Sequence, residues 1–122
     1  MKTVLFVDVA LKNPQIFQIM RKIFNHEGLR IEGAYDAEDT KTKAAELSPD
    51  IILIKMSNDT LDILKQNAES PKKLPAIVLL PPKSSESYAQ KMKDNGATDA
   101  VNMDTASILQ IIDKVKEIIE RK

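Results

Sequence analysis

Cysteine is absent from this 122-residue sequence, glycine occurs three times and histidine once. Without cysteine there are no disulfides, thiol nucleophiles or thiolate metal sites, a usage that fits a reducing compartment. With only Gly28, Gly33 and Gly96, neither G-x-G-x-x-G nor G-x-x-x-x-G-K-[ST] can be written. An excess of one charge is also missing. The 18 Lys and Arg residues equal the 18 Asp and Glu residues, so the chain lacks the basic surplus that drives non-specific nucleic-acid binding. No apolar run approaches the roughly 20 residues of a bilayer-spanning helix. The opening run Val4-Leu5-Phe6-Val7 meets Asp8 too soon to serve as a signal peptide. These absences set the first expectations: a cytoplasmic protein with no cofactor, no nucleic-acid partner and no membrane partner.

The residues that are present describe an ordinary globular chain, 43% hydrophobic and 30% charged. The length fits one core, so residues 1–122 are expected to form a single domain. Val4–Val7, Ile51–Ile54 and Ala76–Leu80 are continuous apolar runs of the kind found in strands buried on both faces. Weaker runs at Arg30–Ala34 and Thr98–Asn102 predict short or edge strands.

Segments of helical period separate the runs. Asn13-Pro14 predicts a helix start, followed by Ile16, Phe17, Met20, Ile23 and Phe24 up to Gly28. Asp36 is placed to cap a second helix that Pro49 stops. Asp59 or Thr60 begins a third, with Leu61, Leu64 and Ala68. Ser84 or Ser85 begins a fourth, with Tyr88, Ala89 and Met92 before Gly96. Thr105 begins a fifth, whose apolar stripe is Ile108, Ile111, Ile112, Val115, Ile118 and Ile119. Strand–helix alternation with short connections predicts right-handed crossovers and a parallel sheet covered on both sides. The expected architecture is a five-stranded, flavodoxin-like (βα)5 three-layer sandwich with strand order 2-1-3-4-5. Sites in such sheets lie beyond the carboxyl ends of the strands.

At those ends the chain resembles the response-regulator receiver family, the CheY-like proteins of two-component signal transduction. The resemblance is carried by Val4-Leu5-Phe6-Val7-Asp8-Val9, Pro49-Asp50-Ile51-Ile52-Leu53-Ile54, Leu74-Pro75-Ala76-Ile77-Val78-Leu79 and Asn95-Gly96-Ala97-Thr98-Asp99. The resemblance implies an acidic pair after strand 1, a phosphoacceptor aspartate after strand 3, a hydroxyl after strand 4 and a lysine-proline pair after strand 5. Here those positions read Asp8-Val9, Lys55, Leu80 and Met103-Asp104.

Phosphoryl transfer to aspartate needs a carboxylate nucleophile, and a hard divalent cation to neutralise phosphate charge. Lys55 supplies no carboxylate and repels such a cation. Val9 supplies no ligand, and neither Leu80 nor Met103 can hydrogen-bond a phosphoryl group. Asp8, Val9, Lys55, Leu80 and Met103 therefore form a degenerate phosphorylation pocket, with no catalytic residue and no metal site. Lys55 is expected to pair with Asp8 across the mouth. Asp59 and Asp62 lie past the strand, and His26 sits in the last turn of the first helix, where a cation favours the dipole.

The resemblance then implies a pseudo-receiver: a non-enzymatic, phosphorylation-independent protein-interaction module in phosphorelay-type signalling. Its expected partner is a signalling protein or a second copy of the chain. The candidate interface combines helix 4, strand 5 and helix 5 through Tyr88, Met92, Ala100, Ile108, Ile111, Ile112 and Val115. The alternatives are a receiver switched by another input, and a flavin- or nucleotide-binding protein on the same fold.

Overall fold

The computed structural model describes residues 2–8, 14–71, 73–81, 83–102 and 107–120, with the backbone alone for 14–16. The elements alternate along the chain: β1 (Lys2–Val7), α1 (Pro14–His26), β2 (Leu29–Ala34), α2 (Ala37–Leu47) and β3 (Ile51–Lys55) come first. They are followed by α3 (Thr60–Glu69), β4 (Ala76–Leu80), α4 (Glu86–Asp94), β5 (Asp99–Asn102) and α5 (Ile108–Glu120). The strands form one sheet in the order β2-β1-β3-β4-β5, with every pairing parallel. This is the flavodoxin-like order, and the two weak apolar runs are its edges.

Side chains of a strand alternate between faces, so each apolar run feeds two cores. Val4, Phe6, Ile51, Leu53, Ile77 and Leu79 pack with Phe24 of α1 and with Ile111, Ile112, Val115, Ile118 and Ile119 of α5. On the other face, Leu5, Val7, Ile52, Ile54, Val78 and Leu80 pack with Ile63 and Leu64 of α3 and Met92 of α4.

This packing corrects the expected interface. Met92, Ile111, Ile112 and Val115 are buried core residues rather than surface, because the broad stripe of α5 is consumed by the sheet. Ile108 is half-buried against the same core. Of the apolar residues expected on the third helix, Leu64 is buried together with Thr60 and Ile63, whereas Leu61 is 38% exposed and Ala68 is exposed.

Local chemistry sets the helix ends. Asp36 Oδ1 accepts the Asp39 amide at 2.7 Å, capping α2 as expected. At the exit of α4, Gly96 adopts φ +109°, a conformation that a side chain would strain. The last helix starts at Ile108, later than the expected Thr105, which itself lies outside the described residues. Its start is set by Ser107 and Gln110. The Ser107 amide donates to Gln110 Oε1 at 2.7 Å, and the Gln110 amide donates to Ser107 Oγ at 3.2 Å, a capping box.

The edge strand β5 is tied to both neighbouring helices by Asp99. Lys114 of α5 lies 2.6 Å from Asp99 Oδ2, and Lys93 of α4 lies 3.8 Å from Oδ1, which also accepts the Ala100 amide at 2.8 Å. Burial alone would raise the Asp99 pKa. The Lys114 hydrogen bond, the Ala100 amide and the two lysine charges outweigh that burial and hold it below the usual carboxylate value. Because the folded pKa is depressed, the stabilisation is complete above the unfolded value of about 4 and is lost as pH falls through the lower folded value. Asp99→Asn should therefore destabilise the protein by about 1 kcal/mol at neutral pH. In urea denaturation over an acid pH series, the gap between variant and wild type should narrow below about pH 4; an unchanging gap would contradict this role.

Candidate functional site

The strand order reverses direction between β1 and β3, so their carboxyl ends open into one mouth. Asp8 follows β1, and its amide donates to the Ala34 carbonyl at 2.9 Å, which fixes it beside the end of β2. Lys55 ends β3, in register with Leu79, and the adjacent Met56 amide bonds the Leu79 carbonyl at 3.0 Å. Lys55 Nζ and Asp8 Oδ2 are 3.8 Å apart. The expected partners do meet, but asymmetrically. Asp8 is buried, with a side chain only 9% exposed, whereas the Lys55 side chain is 51% exposed. The separation makes this an ion pair rather than a close hydrogen bond.

Among the described residues no group of three or more His, Asp or Glu side chains is placed to hold a metal ion, and the Asp8 carboxylate faces an ammonium. The side chain of Val9, next in sequence, carries no ligating atom; the structure of Val9, like that of Met103, lies outside the described residues. Leu80 is buried in the α3–α4 core rather than lining the mouth, because the alternation of β4 turns it to that face. Ala100 is half-buried against the same core.

The remaining titratable candidates lie away from the mouth or on the surface. Asp50 lies at the opposite end of β3, where its Oδ2 accepts the Thr3 amide at 2.8 Å. His26 is exposed at the end of α1. Asp62 is exposed on the first turn of α3.

Asp59 differs from the sequence expectation. It occupies the N-cap position of α3, yet its side chain makes no cap bond there. Instead Asp59 Oδ2 accepts the amide of Ala37, the first residue of α2, at 3.0 Å. The loop after β3 is braced for this reach: the Ser57 amide donates to Thr60 Oγ1 at 2.8 Å, and the Asp59 amide donates to Ser57 Oγ at 3.2 Å. One carboxylate therefore joins the loop beside the mouth to the N-terminus of a neighbouring helix. Sequence reasoning missed this bond because a D-T pair before a helix also reads as a local cap.

No protein-family model matches the chain, and no curated protein matches it. Solved structures do match. The receiver domain of the Francisella response regulator 1452 superposes with a TM-score of 0.83 at 22% identity, covering 99% of this chain and 98% of that one. A two-component response regulator from Clostridium difficile gives 0.81 at 18% identity, covering 99% and 98%. A CheY-like response regulator receiver domain protein from Methanospirillum hungatei gives 0.80 at 17%, covering 99% and 95%. At such identities the likeness is one of fold. The chain has the five-stranded architecture that these receiver domains share. Among the described residues no helix is long and apolar enough to cross a membrane.

Two measurements test the mouth. In a double-mutant cycle of Asp8→Asn and Lys55→Met, the coupling energy should be about 0.2–1 kcal/mol, because water screens the exposed ammonium. A coupling near zero would mean that the groups act independently. Asp59→Ala should lower stability by about 0.5–2 kcal/mol and speed hydrogen exchange at the Ala37 amide. Unchanged exchange at Ala37 would remove the cross-helix role.

Proposed function

We propose that this chain is a receiver-type signalling module that uses no aspartyl phosphate and acts by binding another protein. The observation that carries the reading is the ion pair at the mouth, where Lys55 faces Asp8 at 3.8 Å. An ammonium takes the place of the nucleophile that the receiver resemblance implies, and the one remaining carboxylate is engaged with it. The pair satisfies internally the charge that a divalent cation would otherwise neutralise, so the pocket needs neither metal nor phosphate to be electrostatically settled. Leu80, where the resemblance implies a hydroxyl, offers no polar atom and turns into the α3–α4 core. The chain performs no catalysis on this reading, and it spans one domain whose output is a docking surface.

The test is incubation with acetyl phosphate and Mg²⁺, followed by intact-mass and peptide-level mass spectrometry. No phosphate adduct should form at any aspartate, and backbone amide spectra should be unchanged by the donor. A donor-dependent mass gain mapped to Asp8, Asp59 or Asp62 would overturn the phosphorylation-independent reading. For the docking role, any partner isolated by crosslinking should bind purified protein equally well with and without the donor.

A further inference from the structure

We infer that the furrow between α3 and α4 is the docking surface, and that it accepts an acidic protein segment carrying an apolar anchor. The proposal rests on the interaction-module reading and names its contact face. That face differs from the one read from sequence, because the α4–β5–α5 residues named there are mostly internal.

The orientation of both helices follows from their contacts. A groove of about 560 Å³ separates α2 from α3, and Ile63, Gln66, Asn67 and Glu69 line it from the α3 side. At 3.6 residues per turn, Leu61, Lys65 and Ala68 then fall on the opposite flank of α3, toward α4. On α4, Lys93 marks the flank toward β5, since it pairs with Asp99. Met92 faces the core, so Tyr88 and Lys91 fall on the flank toward α3. The two helices contribute to one core through Leu64 and Met92. Their separation is bounded at the exit of α4, where a Cβ at Gly96 would lie 3.9 Å from the Leu64 carbonyl oxygen.

The furrow thus presents two of the exposed large apolar side chains, Leu61 at 38% and Tyr88 at 47%, one on the first turn of each helix. Lys65 and Lys91, both exposed, stand on its two walls farther along. Four acids on these helices lie off the furrow walls: Glu69 lines the α2 groove, Asp62 falls on the outward crest of α3, Glu86 shares the α4 flank of Lys93, and Asp94, which accepts Gln90 Nε2 at 2.9 Å, falls on the outward crest of α4. Apolar anchors with lysines on both walls complement a segment of opposite charge, and an aromatic with aliphatic neighbours is the composition of an energetic contact centre. The chain as a whole has no net charge, so this positive pair is a local feature rather than a reflection of composition.

The test uses three fluorescent synthetic peptides: Glu-rich with Leu and Phe, Lys-rich with the same apolar residues, and Glu-rich with Ser in their place. Anisotropy titration should show binding of the first peptide alone, weakening as salt is raised. Amide shift changes should centre on Leu61, Ala68, Tyr88 and Lys91. Lys65→Glu with Lys91→Glu, and separately Leu61→Ser with Tyr88→Ser, should each weaken binding about fivefold or more. These exposed positions should tolerate substitution, which circular dichroism will check. Equal binding of the Lys-rich peptide, no binding of the first, or unaltered affinity of both double variants would overturn the proposal. So would self-association in sedimentation, or binding to phosphatidylserine vesicles, that the same variants abolish, since the furrow would then serve a second copy or a membrane. A crosslinked protein partner unaffected by these variants would defeat the furrow while leaving the interaction-module reading intact.

Discussion

The structure depends on one constraint: a parallel sheet whose central strands are apolar on both faces must be covered on both sides. The backbones of β1, β3 and β4 are then paired on both sides, and their apolar side chains are divided between two cores, while the charged strand ends Lys2 and Lys55 stay exposed. The helices have little freedom after that. Their inward faces are fixed by the sheet, their N-termini are delivered to the carboxyl ends of the strands, and the polar groups of the mouth gather there because no apolar site remains for them. Asp8 and Lys55 meet for this topological reason, and so do Asp59 and the start of α2.

On the proposed reading, the mouth holds a different chemistry from the one the receiver resemblance implies. A cluster of carboxylates creates a demand for external positive charge, which is how such a pocket becomes responsive to metal and phosphate. On that reading Lys55 removes the demand: its cation is covalently part of the chain, and its half-exposed side chain lets water absorb any imbalance. The Asp59 bond to Ala37 adds a second fixed point beside the mouth, so the loop after β3 is held by a side chain that no ligand has to order.

Much of this was legible in the sequence. Three uninterrupted apolar runs, two weak ones and five helical periods specify the sheet, its order and its edges, because burial on both faces leaves so clear a mark. The Lys55–Asp8 pairing was also readable, since the resemblance places both after neighbouring strands. The surface was harder. Ile111, Ile112 and Val115 look like spare apolar area when counted on a helix alone, and only the packed sheet reveals that it uses them all. Leu61 looks like core because Leu64 lies three residues on, yet Ile63 and Thr60 define the buried side. The capping box of Ser107 and Gln110 is present in the sequence, but Thr105, two positions earlier, offers an equally good start. The reach of Asp59 to another helix has no local signature at all.

The ion pairs on the outer strands have a colloidal consequence. A chain with equal numbers of positive and negative residues gains little protection from mutual repulsion, so neighbouring molecules can approach closely. The sheet offers them two open borders, β2 and β5, each with unpaired backbone groups that could template another strand. Both borders carry charge. Arg30 and Glu32 stand on β2 with Arg21 nearby, and Asp99 stands on β5 between two lysines. Extending the sheet into a second molecule would strip water from these groups at either border, so a protein without net charge resists fibre-like stacking through a few residues placed where stacking would begin.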